Sequence, residues 1–131
     1  MIIIKQTTFG ETLSAITAAV HQAFPGAIIS VREFQSSESF TCSYDIHIKP
    51  IGEPGFSVSM GKDQSSISLD GLYEQNVRAA IAIRDAVVDT DPVILVHPET
   101  ESYADLIPGM THDAINSSWH SWDDLDPEIW N

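Results

Sequence analysis

An uninterrupted alternation between Phe40 and Lys49 constrains the fold more than any other stretch of this chain. Its apolar members are Phe40, Cys42, Tyr44, Ile46 and Ile48, and its polar members are Thr41, Ser43, Asp45, His47 and Lys49. Successive side chains of a strand point to opposite faces, so the pattern predicts a strand with one face in the core and one in water. The same phase places Cys42 in the core, where its thiol is expected to be inert.

Other stretches extend this strand into a sheet. Apolar residues recur at every second position after Ala27 and again in 56–60 and 67–69, which together with 40–49 predicts a four-strand antiparallel meander with a serine-rich outer face. The three isoleucines in 1–6 predict a short strand. Residues 93–96 are apolar on both faces and predict an interior strand, and 102–107 predict a short last one.

Three segments carry helical spacing. Thr8 and Glu11 have the form of a capping box, and a helix is expected from about Phe9 to Phe24. A second helix is expected from about Leu72 to Val88, and Thr111 can cap a third. The inner faces of these three helices are formed by Leu13, Ile16, Val20 and Phe24, by Tyr73, Val77, Ala80, Ile81 and Val88, and by Ile115, Trp119 and Trp122.

These elements predict a single α+β domain over residues 1–122. We expect a mostly antiparallel sheet of five to seven strands with two long helices and a short C-terminal helix. Residues 123–131 are expected to form an acidic tail that contains Trp130.

Charge is unevenly distributed along the 131 residues. The net charge is −13, yet residues 85–131 hold eleven acids and no Lys or Arg, whereas residues 1–84 hold eight acids and all six cations. A protein this acidic repels phosphate backbones and anionic lipid surfaces, so direct binding to nucleic acid or membranes is not expected. Cys42 is the one cysteine, the start lacks a signal-peptide pattern and no apolar run approaches a membrane span, which favours the cytoplasm.

All three tryptophans lie in this acidic region, and an aromatic anchor with carboxylates around it suits a basic protein partner. The sequence therefore predicts a partner-binding set formed by Trp119, Trp122, Asp123, Asp124, Asp126, Glu128 and Trp130.

Evidence for catalysis in the sequence is sparse. His97 ends a buried strand beside the acids Asp91, Glu99 and Glu101, so a small enzyme centred on this histidine is one alternative. No nucleophile elbow, phosphate-binding loop or dinucleotide-binding turn is present. The five histidines show no metal-ligand spacing, so neither a metal nor a cofactor is expected.

The order of several stretches resembles small bacterial toxin-immunity proteins. They span roughly residues 56–119 and comprise the meander, Ser68-Leu-Asp-Gly71, Gln75-Asn-Val-Arg-Ala-Ala80, Val93-Ile-Leu-Val96 and Leu106-Ile-Pro-Gly-Met-Thr111, with Ile115 and Trp119 after them. The resemblance implies a non-enzymatic cytoplasmic inhibitor of a cognate toxin, often a basic nuclease. Two other readings stay open, namely a phage-encoded mimic of nucleic-acid charge that inhibits a defence nuclease or CRISPR effector, and a structural subunit.

Overall fold

A single antiparallel sheet forms the centre of the protein. The computed structural model describes residues 1–35, 42–88 and 90–126. Within them eight strands follow the order β2-β3-β4-β5-β1-β6-β7-β8. The predicted α+β fold is confirmed, with one strand more than expected because β8 contributes only two residues. The strands are β1 Ile2–Lys5, β2 Ile28–Glu33, β3 Cys42–Lys49, β4 Phe56–Gly61, β5 Ser66–Leu69, β6 Val93–His97, β7 Ser102–Asp105 and β8 His120–Ser121.

Helices cover one face of the sheet. Helix α1 spans Leu13–Ala23 and helix α2 spans Tyr73–Ala86, and both pack into one core cluster with the sheet. The register brings Ile46, Val58 and Leu69 side by side beneath them, and all three are buried. The predicted division into a core face and a polar outer face is therefore present, since the opposite face of β3, β4 and β5 carries serine and charged side chains.

Helix α1 begins four residues later than the capping box predicted. Thr12 is its N-cap and accepts a hydrogen bond from the Ala15 amide at 3.1 Å. Thr8 is not a cap; its carbonyl accepts from Lys5 Nζ at 2.8 Å, and the following Phe9 amide donates to Gln64 O at 2.7 Å. Residues 8 and 9 are thus held against the sheet and the β4–β5 turn, which keeps them out of the helix.

Helix α2 buries a different set of residues from the predicted one. Val77 and Ala80 are in the core, but Tyr73 at its first position is partly exposed and Val88, beyond its end, is 90% exposed. Arg84 near the C-terminus is only 5% exposed, and its guanidinium donates to Leu106 O at 2.9 Å and to Val87 O at 3.3 Å. These bonds satisfy a helix-end carbonyl and tie α2 to the chain that follows β7.

Helix α3 is shorter than its aromatic spacing predicted. It spans His112–Asn116, with Thr111 as the expected cap accepting from Ala114 N at 3.1 Å. Ser117 and Ser118 donate their hydroxyls back to the carbonyls of Asp113 and Ala114, a side-chain bond that competes with continued helix. The predicted helical stripe of Ile115, Trp119 and Trp122 is therefore wrong, and residues 120–121 instead pair with β7 as β8.

Strand β3 departs from simple alternation at its start. The register with β4 shifts between Cys42 and Tyr44, so that Cys42 lies opposite Gly61 and is half-buried rather than in the core. Phe40, predicted to begin this strand, lies outside the described residues. None of the helices in the described ranges has the length and apolar character needed to span a bilayer.

Candidate functional site

The sheet order separates the charges of the chain in space. Strands β6, β7 and β8 lie together at one side of the sheet, and the described part of residues 85–131 carries nine acids without a Lys or Arg. Arg32 and Lys49 lie on β2 and β3, at the other side. Lys5 and Arg84 are both buried, so neither presents its charge to solvent. Arg78 is paired with Glu53 and Lys62 lies in the turn between β4 and β5, and strands β6, β7 and β8 themselves carry no Lys or Arg.

Two acidic turns meet at the end of β6. One is the 3-10 turn Pro98–Thr100 and the other is the 3-10 turn Trp122–Asp124. The Trp122 amide donates to Glu101 O at 3.1 Å, and its indole Nε1 donates to Ser102 O at 3.2 Å. Folding thereby gathers acids that are more than twenty residues apart in sequence. We call this surface the acidic end, formed by Glu99, Glu101, Trp122, Asp123 and Asp124.

Trp122 is the exposed aromatic residue of the acidic end. Its side chain is 41% exposed although its indole N–H is already bonded to the protein. The hydroxyl of Ser121 accepts from the Asp123 amide at 3.3 Å and so helps to hold the turn that presents the indole. A hydrogen-bonded indole loses little conformational freedom on binding, which makes it suited to anchor a partner.

The carboxylates also affect the neighbouring Tyr103. Its hydroxyl lies 3.5 Å from Asp124 O, a long contact. Burial raises the pKa of Tyr103, and the charges of Asp105 and Asp124 raise it further because they oppose a phenolate. The carboxylates of the acidic end therefore disfavour ionisation of the Tyr103 phenol.

A packed aromatic group lies behind the acidic end. We call it the Tyr73 cluster, and it comprises Tyr73, His97, His112 and Trp119. The ring centroid of Tyr73 lies 6.1 Å from that of His97 and 6.4 Å from that of Trp119. Trp119 Nε1 donates to Tyr73 Oη at 3.1 Å, and that hydroxyl donates to Asn116 Oδ1. The rings pack against one another and so support the chain that leads into β8.

Buried amides hold Tyr73 at the start of α2. The Gly71 amide donates to Asn76 Oδ1 at 2.8 Å, and the Leu72 amide donates to Gln75 Oε1 at 3.0 Å. A Cβ on Gly71 would lie 2.8 Å from Gln75 Oε1 and 3.0 Å from a ring carbon of Phe56, so a larger residue here would displace the side chains that hold this turn. The first turn of α2 is thus fixed by its own side chains, and Tyr73 with it.

His97 borders two adjoining cavities of about 440 and 360 Å³, both of which Tyr73 also lines. Its Nδ1 is buried without a hydrogen-bond partner. Among the predicted neighbouring acids, Glu99 lines the larger cavity. Asp91 does not approach His97, because it precedes β6 while His97 ends it, which separates them by roughly 20 Å of extended chain. Asp91 accepts instead from Thr7 Oγ1 at 2.6 Å.

The described residues also bear on metal binding. Across 1–35, 42–88 and 90–126, no three His, Cys, Asp or Glu side chains converge closely enough to hold an ion. Comparison with protein-family models, curated proteins and solved structures gives no match for this chain.

Five of the seven predicted partner-binding residues are described, and they have two different environments. Trp119 is half-buried against the core within the Tyr73 cluster. Trp122, Asp123, Asp124 and Asp126 are exposed. Glu128 and Trp130 lie outside the described residues. The sequence analysis missed Tyr73, which it assigned to the core face of a helix. It also did not predict that Glu99 and Glu101 lie near Trp122, because spacing along the chain contains no signal for this long-range contact.

An apolar cleft at the opposite end of β6 was also missed. It has a volume of about 620 Å³ and lies between the end of α2 and the segment after β7. Val88 and Ile107 are exposed residues that line it, and Asp91 and Asp105 also contribute to its wall. The available sequence signals were the two prolines of the lining, since Pro92 directly precedes β6 and Pro108 follows the exposed Ile107 beyond the end of β7.

Proposed function

We propose that this chain is an acidic, non-enzymatic inhibitor that binds a basic partner protein, and specifically an immunity protein that neutralises a cognate bacterial toxin of the nuclease type. The observation that carries the proposal is the meeting of two acidic turns around the exposed indole of Trp122. Such a surface suits the substrate-binding face of a nuclease, which is basic because its substrate is a polyanion.

Charge and anchor have separate roles in this proposal. The carboxylates of Glu99, Glu101, Asp123 and Asp124 attract the partner over a Debye length of about 8 Å at physiological ionic strength and so raise the association rate. The Trp122 indole becomes buried on contact and slows dissociation. The Tyr73 cluster keeps the surface in place, which limits the entropy lost on binding.

The decisive experiment is a pull-down from the native host with the full chain as bait, read by mass spectrometry. A triple variant, Asp123→Asn, Asp124→Asn and Asp126→Asn, removes charge near the acidic end. Its matched control is Glu33→Gln, Asp63→Asn and Asp85→Asn, which removes the same charge from other exposed positions. We expect one basic, toxin-like protein to be retained by the full chain and the control but lost or weakened with the triple variant.

Binding kinetics with the retained protein then divide the two roles. Trp122→Ala is expected to raise the dissociation rate at least tenfold, while Val88→Ala, at another exposed apolar position, should leave it unchanged. Raising salt should slow association of the full chain more than that of the triple variant. Equal behaviour of the triple variant and its control would remove the acidic end from the proposed contact.

The identity of the retained protein separates the two inhibitor readings. A toxin encoded beside this chain supports immunity, whereas a defence nuclease or CRISPR effector supports a phage-encoded inhibitor, since both present basic surfaces to an acidic protein.

A small enzyme centred on His97 is the second candidate, favoured by the buried Nδ1 without a partner beside two cavities. A substrate group could supply the missing bond. His97→Gln distinguishes the readings. The hydrogen bonds that join Trp119, Tyr73 and Asn116 do not involve His97, so an inhibitor should keep its affinity within about twofold, whereas an enzyme should lose its activity.

A further inference from the structure

Strand β2 is an open edge of the sheet. It spans Ile28–Glu33, and among the described residues it pairs only with β3; most of its side chains are exposed. Ile28 is 72% exposed and Val31 is 45% exposed. An edge strand with apolar side chains and unpaired amides is a template for another strand.

The ladder identifies which backbone groups are available. The Phe34 amide donates to Ser43 O at 2.9 Å, so Phe34 and every second residue before it point their amides and carbonyls towards β3. The intervening residues Ile29, Val31 and Glu33 therefore point theirs away from the sheet. Val31 has its side chain on the helix-covered face, in the same row as Ile46.

The distribution of charge over the sheet indicates which kind of molecule can approach the β2 edge. Arg32 lies directly opposite Asp45, so the outer face of the edge is close to neutral there. The acidic end lies with β7 and β8 at the other side of the sheet, which leaves β2 as the side where a second molecule of charge −13 meets the least repulsion. The β8 edge offers only two residues for pairing.

We propose that two copies of this chain pair antiparallel along β2, with the two-fold axis at Val31. This register places Val31 opposite Val31, Ile29 opposite Glu33 and Ser30 opposite Arg32 of the second copy, so that every outward N–H and C=O of the strand is bonded. A two-fold axis at Arg32 would place the two Arg32 side chains, which carry like charges, opposite each other. An axis at Ser30 would leave Glu33 without an opposite residue in β2 of the second copy.

The register also buries the exposed apolar side chains. Ile28 comes opposite Phe34 of the second copy on the open face, beside the Arg32 guanidinium that stacks 4.7 Å from the Phe34 ring centroid. On the other face, the two Val31 side chains meet at a groove of about 600 Å³ between α1 and β2, which Leu13 and Ala18 line. The two acidic ends remain at the outer edges of the dimer, so the inference does not depend on the proposed function.

Sedimentation equilibrium of the full chain over a range of concentrations tests the association. We expect twice the mass of one chain, falling to a single chain with Val31→Pro. The Val31 amide points away from β3, so proline removes no bond of the existing ladder, and the edge tolerates it. Val31→Thr keeps the amide and the branched shape and should remain dimeric. A single-chain mass for the unchanged protein at all concentrations, or a dimer that survives Val31→Pro, would overturn the proposal.

Cysteine cross-linking tests the register. In a Cys42→Ala background, Val31→Cys places two thiols at the axis, about 5.5 Å apart at Cα, within reach of a disulfide. Glu33→Cys is on the same strand and face, but its copies would be roughly 14 Å apart. We expect oxidation to link Val31→Cys at least tenfold faster. Equal rates would reject a two-fold axis at Val31.

Discussion

Trp119 Nε1 donates a hydrogen bond to Tyr73 Oη over 3.1 Å, joining residues 46 positions apart in sequence. The hydroxyl that accepts this bond donates in turn to Asn116 Oδ1. The start of α2, the end of α3 and the chain leading into β8 are therefore linked through one phenol oxygen. The acidic end depends on this link, because Trp122 follows β8 directly.

Removal of that oxygen should weaken the C-terminal part of the structure. Tyr73→Phe loses both bonds and is expected to lower the free energy of unfolding by about 1 kcal/mol, measured by urea titration. The tryptophan emission should change as well, since Trp119 loses its acceptor. Tyr103→Phe is the control, because its hydroxyl makes only a 3.5 Å contact and should contribute less. Equal losses for the two variants would contradict a special role for Tyr73.

The position of the α1 cap gives a second prediction. Thr12→Ala removes the side-chain oxygen that accepts from Ala15 N and should cost about 1 kcal/mol of stability. Thr8→Ala should be within about 0.5 kcal/mol of the unchanged protein, because Thr8 contributes its backbone carbonyl rather than its hydroxyl to the contact with Lys5. A larger loss at Thr8 than at Thr12 would restore the cap that the sequence pattern suggested.

The buried guanidinium of Arg84 should be strongly stabilising. Arg84→Met leaves Leu106 O and Val87 O without their donor and is expected to cost at least about 2 kcal/mol in denaturant unfolding. Arg84→Lys should recover only part of this, since one ammonium does not reproduce the fork of the guanidinium. Arg32→Met, at an exposed position, provides the comparison.

The raised pKa of Tyr44 leads us to expect that the folded protein loses stability at alkaline pH. Burial raises the pKa of Tyr44 to about 12, and the charge of Glu11 adds to the shift. The unfolded chain releases this proton near pH 10 while the folded chain retains it, so stability should fall as pH rises from about 10 to about 12. Tyr44→Phe should flatten that fall, and at neutral pH it should be tolerated because the Tyr44 hydroxyl is buried without a partner. An unchanged slope would assign the alkaline loss to other groups.

The uneven charge predicts a response to salt in the absence of any partner. The melting temperature should rise between low ionic strength and about 0.15 M, because screening weakens repulsion among the clustered carboxylates. The variant with Asp123→Asn and Asp124→Asn should melt higher at low salt and gain less from added salt. The same response in a variant with Glu33→Gln and Asp63→Asn would show that total charge matters rather than the acidic end.

Local pattern was sufficient for much of the fold. The alternation in residues 40–49 predicted a half-buried strand, and the apolar run at 93–96 predicted an interior strand. Both strands are present, because which face of a short segment becomes buried depends on the pattern of side chains within a few residues. The Thr111 cap was likewise predicted, since its bond to Ala114 N spans three residues. The concentration of acids after residue 84 needed nothing beyond the sequence.

Tertiary structure decided how these parts meet. Aromatic spacing suggested that Trp119 and Trp122 share a helix. Helix α3 instead ends before the two serines at 117 and 118, and residues 120–121 pair with β7 to form β8. Pairing between β7 and β8 then brings Trp122 to Glu101, a contact that depends on the sheet order. The sequence alone determined that the chain is an acidic α+β protein, because net charge depends on composition and the strands and helices follow from short-range periodicity. The side of the sheet that gathers the acids, and the edge that stays open, follow only from long-range strand pairing.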